Sequence, residues 1–141
     1  MKRVLAAVAL LVLWTGLAAA ERLAVSVDIA NVRSGPGQNH DTIWKVEKYH
    51  PIDVVERSGQ WCRFRDFEGD EGWIHASLLR EMDTVITTRK ANVRSGPGTT
   101  NQVILTSESG VAFKVLKKKG KWLQVEHGDG ERGWIYSSLV W

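Results

Sequence analysis

Residues Ala30-Asn31-Val32-Arg33-Ser34-Gly35-Pro36-Gly37 recur as Ala91-Asn92-Val93-Arg94-Ser95-Gly96-Pro97-Gly98, displaced by 61 positions. The same offset carries Gly59 onto Gly120 and Trp61 onto Trp122. It also places Gly72-Trp73-Ile74 on Gly133-Trp134-Ile135 and Ser77-Leu78 on Ser138-Leu139, with no gap between these landmarks. A fixed register held this long marks a duplication, so the chain is one small module written twice. The join between copies, Arg80 to Thr84, is too short to act as a flexible tether, and the copies are expected to sit against each other.

Each copy alternates short apolar-patterned runs with turn chemistry, and neither contains a stretch of helical period. Opening strands are expected at Val25 to Ile29 and Val85 to Arg89. Thr42 to Val46 and Val103 to Ser107 should follow the glycine-rich loop. Ile52 to Val55 and Phe113 to Leu116 come next, ending at turns on Ser58-Gly59 and Lys119-Gly120. Trp61 to Arg65 and Trp122 to Glu126 return across those hairpins. Asp129-Gly130 reads as a two-residue hairpin turn, with Glu68-Gly69-Asp70 as its counterpart. The last strands hold Gly-Trp-Ile, and a Ser-Leu turn closes each unit. Five or six strands in so short a length make no pair of useful sheets, but they can curl into a small barrel that removes exposed edges. The expectation is all-β: two tandem barrels over residues 21–80 and 81–141.

Alternation assigns the faces. Cys62 and Phe64 share one side of their strand, as Leu123 and Val125 do in the second copy, so Cys62 is expected to be a small core residue in a leucine position. Val54, Val115, Ile74 and Ile135 should join the cores. Trp61 and Trp122 fall on the opposite face.

Ahead of the repeats, Lys2 and Arg3 precede an apolar run from Val4 to Leu17, followed by Ala18-Ala19-Ala20. This is the layout of a secretory signal peptide spanning residues 1–20, cut before Glu21, and the run is short for a membrane span. No Cys follows it to accept a lipid. The expected product is exported, periplasmic or secreted, with no stable membrane insertion after cleavage. Without Lys2 and Arg3 the formal charge falls from +3 to +1. Residues 21–80 hold 8 Lys and Arg against 10 Asp and Glu, and residues 81–141 hold 9 against 6. Neither half has the dense basic stripe of a phosphate-backbone binder, which argues against nucleic acid. A single Cys allows no internal disulfide, so each barrel must stand on its core.

Catalytic readings are poorly supported. Cys62 with His75, His40 or His50 could form a thiol–imidazole pair, but the second copy has Leu123 and Tyr136 where the first has Cys62 and His75. The four His are scattered and suggest no metal site, and nothing calls for a cofactor. Glu68, Asp70 and Glu71 fall around a hairpin turn, where solvated charge is the ordinary explanation. The basic run Lys114, Lys117, Lys118, Lys119 and Lys121 reads as a solvated hairpin tip with weak, salt-sensitive attraction for anionic polymers.

The repeated loop and the tryptophans remain. The loop glycines would permit backbone angles closed to other residues, with Pro36 and Pro97 stiffening the turns. Asn31 and Asn92 could tie the loop to its own backbone, and Arg33 and Arg94 could pack across the barrel onto a carboxylate. Six Trp lie after the signal, at 44, 61, 73, 122, 134 and 141. Trp73 and Trp134 read as covers of the barrel ends. Trp61 and Trp122 admit two readings, barrel cover or ligand platform, because a half-exposed indole suits sugar rings and extended peptides. Trp44 and Trp141 occur in one copy only and are candidates for the contact between barrels.

Asn-Val-Arg-Ser-Gly-Pro-Gly near the start, Gly-x-Trp in the middle and Gly-Trp-Ile near the end resemble the bacterial SH3 domain in both copies, over nearly all of residues 24–141. The resemblance implies an SH3-like β-barrel in an exported protein, with the heptapeptide loop forming one wall of a ligand groove. It also implies binding of cell-wall peptidoglycan or of a peptide or protein partner. Such barrels often accompany cell-wall hydrolases, and no hydrolase motif is visible here. The candidate ligand-binding residues are therefore Asn31, Arg33 and Trp61 in the first copy and Asn92, Arg94 and Trp122 in the second. Two barrels held together could engage a repeating polymer at two points. The competing expectation is an adaptor that holds an extended segment of another exported protein.

Overall fold

The computed structural model describes residues 20–141; the predicted signal peptide, apart from its last residue, lies outside them. The first copy comprises β1 (Glu21–Val25), β2 (Ile29–Arg33), β3 (Thr42–Glu47), β4 (Pro51–Ser58), β5 (Trp61–Arg65), β6 (Glu71–His75) and β7 (Leu79–Arg80). The second comprises β8 (Thr84–Ile86), β9 (Ala91–Arg94), β10 (Val103–Ser107), β11 (Ala112–Lys119), β12 (Trp122–His127) and β13 (Arg132–Tyr136). Each copy forms its own antiparallel sheet, in the orders β3-β2-β6-β5-β4-β1-β7 and β10-β9-β13-β12-β11-β8. Single 3-10 turns, Ala76–Leu78 and Ser137–Leu139, sit where the Ser-Leu turns were expected.

These are the tandem all-β barrels that the repeat implied, of the SH3-like kind that the resemblance implied, and several local expectations change. Val25 to Ile29 is not one strand. The chain bends at Ser26–Asp28 between β1 and β2, so β1 pairs with β4 and β7 while β2 pairs with β3 and β6. The heptapeptide is only half loop, because Asn31-Val32-Arg33 and Asn92-Val93-Arg94 are strand residues. The turn around Asp129-Gly130 spans four residues rather than two. His127 N–H donates to the Glu131 carbonyl (2.8 Å) and Gly130 N–H to the His127 carbonyl (2.9 Å).

The long strands β4 and β11 serve both halves of their barrels. Their registers against β5 and β12 slip between Val54 and Glu56 and between Val115 and Lys117. Such bulges bend a strand sharply, which lets one strand turn the corner of a small barrel. Each then ends at a tight turn whose first residue, Gly59 or Gly120, has φ of +57° or +58°.

The cores follow the predicted alternation. Cys62, Phe64 and Ile74 are buried with Val25, Val32 and Ile52, and Leu123, Val125 and Ile135 with Val93 and Phe113. Val54 is buried as expected, whereas Val115 is only partly buried against the second core. Gly72 and Gly133 explain the Gly-Trp-Ile element: a Cβ there would lie 2.3 Å from Val32 Cγ1 or 2.4 Å from Val93 Cγ1. Only glycine lets β6 and β13 cross so closely over the strand that carries Asn-Val-Arg.

The join is Glu81 to Asp83, and side chains do cross it. Arg22 donates to the Thr84 carbonyl (3.2 Å), and its guanidinium stands 4.0 Å from the Trp141 ring centroid. Trp141 is thus an inter-barrel residue as anticipated. Trp44 departs from that expectation in part: it packs edge-on to Phe64 in its own core (centroids 6.2 Å apart), while its outer side lines a cleft shared with Gly110 and Ala112.

Candidate ligand grooves

Strand pairing builds the site. On β2 the side chains alternate, so burying Ala30 and Val32 leaves Asn31 exposed and Arg33 half-buried on the outer side. β5 alternates likewise, placing Trp61 outside against the buried Cys62. Register sets Trp61 opposite His75 on β6, and the two rings meet edge to face with centroids 5.2 Å apart. The second barrel repeats this with Trp122 and Tyr136 at 5.3 Å.

Asn31, Arg33 and Trp61 line one groove of about 210 Å³, together with Ile29, His75 and Leu78. Asn92, Arg94 and Trp122 line another, about 790 Å³, with Lys90, Tyr136 and Leu139. All six candidates therefore fall into two depressions at positions related by the repeat. Sequence reasoning missed the aromatic partners His75 and Tyr136, the floor leucines Leu78 and Leu139, and the rim pair Ile29 and Lys90. The repeat contained a usable signal for two of these: His75 and Tyr136 occupy the same position after Gly-Trp-Ile, and both are flat rings.

The arginines do something different from what was expected of them. Neither pairs with a carboxylate among the described residues. Arg33 Nη1 donates to the carbonyls of Gln38 (3.3 Å) and His40 (3.0 Å), and Arg94 Nη1 to those of Thr99 (3.0 Å) and Asn101 (3.0 Å). The guanidinium is a brace that holds the Ser-Gly-Pro-Gly loop against the groove, and charge-assisted bonds suit that task. The asparagines do not tie the loop. Asn92 Oδ1 instead accepts from Thr106 Oγ1 on the neighbouring strand (3.2 Å).

The loop glycines also act differently: none of Gly35, Gly37, Gly96 and Gly98 has a left-handed φ. They are needed for room, since a Cβ on Gly35 would meet the His40 ring at 2.5 Å and one on Gly96 would meet the Asn101 amide at 2.8 Å. Backbone bonds from Gly37 N–H to Gly35 and from Gly98 N–H to Gly96 (3.0 Å each) complete a compact loop.

Elsewhere the chemistry is structural. The Cys62 side chain is 1% exposed inside the first core, and burial pushes its thiol pKa up, away from the reactive thiolate. His75 lies on the opposite face of the sheet from Cys62, so these two cannot pair. The Glu71 carboxylate, expected at a turn, sits on β6 and bridges Arg63 (2.8 Å) and Arg65 (2.9 Å), whose hydrogen bonds lower its pKa. Trp73 and Trp134 are half-buried on the outer faces of β6 and β13, registered with Arg33 and Arg94. Among the described residues, no three of His, Cys, Asp and Glu converge in a way that could hold a metal ion. Nor is any described helix long and apolar enough to cross a membrane.

A family model described as bacterial SH3 domain matches residues 26–81 and again residues 88–141. This chain belongs to that family, in two tandem copies. Among curated proteins it is similar to the putative N-acetylmuramoyl-L-alanine amidase YrvJ of Bacillus subtilis, 27% identical over 128 residues, covering 82% of this chain and 24% of that protein. It is also similar to the probable cell wall amidase LytH of Staphylococcus aureus, 40% identical over 60 residues, covering 42% of this chain and 21% of that one. The chain thus spans a quarter or less of the curated relatives it matches. Among solved structures it matches an NlpC/P60 family protein from Bacillus cereus, with TM-score 0.40 and 13% identity over 86% of this chain and 56% of that one.

Proposed function

We propose that this chain is an exported, non-catalytic binding protein whose two barrels recognise peptidoglycan or its peptide stems. One observation carries the reading. An aromatic pair, an Asn-Val-Arg strand whose arginine braces the Ser-Gly-Pro-Gly loop, and a leucine form a groove on each barrel, at positions related by the 61-residue repeat. On both copies the indole is half-buried beside a second ring, which leaves part of its surface free for a ligand. Indole faces favour sugar rings and extended peptides by combining apolar area with an N–H donor. The relatives named as cell wall amidases support the wall as the setting, since the regions they share with this chain are its SH3-type segments.

The test is co-sedimentation of the processed chain with protein-free sacculi at low and moderate salt, beside the Trp61→Ala/Trp122→Ala double variant. Pelleting that survives salt and disappears in the double variant is the expected outcome. Failure to pellet at either salt would overturn wall binding and direct the search to a protein partner.

A further inference from the structure

Resting on that reading, we infer that the two grooves are not equivalent: the second is the principal site, and it takes a ligand that presents a carboxylate to Lys90 beside the Trp122–Tyr136 pair.

The argument begins with what the repeat changed. Lys90 stands on the rim of the second groove where the first has Ile29, which is 63% exposed. The second groove is also the roomier, about 790 Å³ against 210 Å³. The hairpin leading into Trp122 reads Lys117-Lys118-Lys119-Gly120-Lys121, whereas its counterpart leading into Trp61 reads Glu56-Arg57-Ser58-Gly59-Gln60. Lys118 is drawn to Asp83 (3.4 Å), while Lys117, Lys119 and Lys121 make no ion pair among the described residues. Lys121 immediately precedes Trp122, and its carbonyl accepts from Ser137 N–H at the groove's floor turn.

No carboxylate lines the second groove among the described residues. Arg94 adds positive charge behind its wall although its Nη1 is committed to the loop. A concave surface with one sign of charge around it concentrates ligands of the opposite sign. Charge complementarity therefore selects a carboxylate-bearing peptide or glycopeptide, with its chain or sugar on the indole and its anionic group toward Lys90. In the first barrel the hairpin's Glu56 and Arg57 are paired with Arg63 and Glu21 (2.7 Å each), and Ile29 stands where the second groove has Lys90.

The experiment uses the processed chain and two soluble probes, a disaccharide-tripeptide with free stem carboxylates and the same compound with those carboxylates amidated. The readout is the indole N–H resonances of Trp122 and Trp61, assigned with Trp122→Phe and Trp61→Phe. The free acid should shift Trp122 at concentrations that leave Trp61 unmoved. Amidation, and separately Lys90→Ile, should each weaken binding about three- to fivefold, and the amidated probe should be indifferent to Lys90→Ile. Equal titration of both indoles, or equal affinity for acid and amide, would overturn the inference while leaving the sacculus result standing. If sacculi fail to pellet but a plain acetylated alanyl-alanine acid still shifts Trp122 in a Lys90-dependent way, the groove inference survives and the wall reading does not.

Discussion

The first barrel has eleven buried apolar residues in one core cluster, and the second has six. The first closes with a paired strand, β7 against β1; the second closes with a single bridge between Thr87 and Val140 and the mutual backbone bonds of Trp141 and Ile86 (2.8 and 3.1 Å). Groove size runs the other way, about 210 Å³ on the barrel with the larger core cluster and about 790 Å³ on the other. The difference teaches that a duplicated module need not keep both properties in both copies.

The largest test of this contrast is in the cores. Phe64→Ala, at a fully buried position, should cost about 3–5 kcal/mol. The equivalent Val125→Ala should cost about 2 kcal/mol, since a smaller side chain is lost. Urea denaturation followed by tryptophan fluorescence measures both, and equal losses would break the claim that the first barrel carries the larger packing term.

A smaller effect should appear in acid, confined to the first barrel. His50 is buried at the edge of the inter-barrel cleft, ring to ring with Phe67 (6.1 Å), and its Nε2 has no partner among the described residues. Burial lowers its pKa, with Asp66 opposing the shift. The unfolded chain therefore takes up a proton at higher pH than the folded one. His50 contributes stability that is present above the ordinary histidine range and is lost as pH falls through it toward the lowered folded value. The second barrel has Val111 at this position. His50→Val should flatten the pH dependence of unfolding stability between pH 7 and 5; an unaltered slope would remove His50 from the account.

The smallest expected change concerns the junction. Arg22→Ala removes the guanidinium over Trp141 and should cost about 0.5–1 kcal/mol. The useful readout is cooperativity: separation of one unfolding transition into two would show that this contact couples the barrels, and a merged transition would show that it does not.

Much of the fold was legible because strand faces alternate in steps of two and the repeat doubled every signal. Cys62 could be placed inside because Leu123 occupies the same position. The boundaries were less legible at Val25 to Ile29, where an alternating Val-Ser-Val-Asp-Ile pattern hid a bend whose cause is pairing with two different sets of strands. The loop contacts were illegible for a similar reason. Arg33 bonds to carbonyls five and seven residues away, and a sequence gives no geometry for a backbone acceptor.

By itself, then, the chain's sequence determined the duplication, the all-β character and the faces of the strands, because these follow from spacing; the six candidate groove residues came from the family resemblance joined to those faces. Tertiary structure decided that His75 and Tyr136 lie against Trp61 and Trp122, that glycine is required where β6 and β13 cross their neighbours, and that one groove is larger than the other. Those facts depend on which strands lie side by side and how closely they approach, and cross-strand distance is not written in the order of residues along a chain.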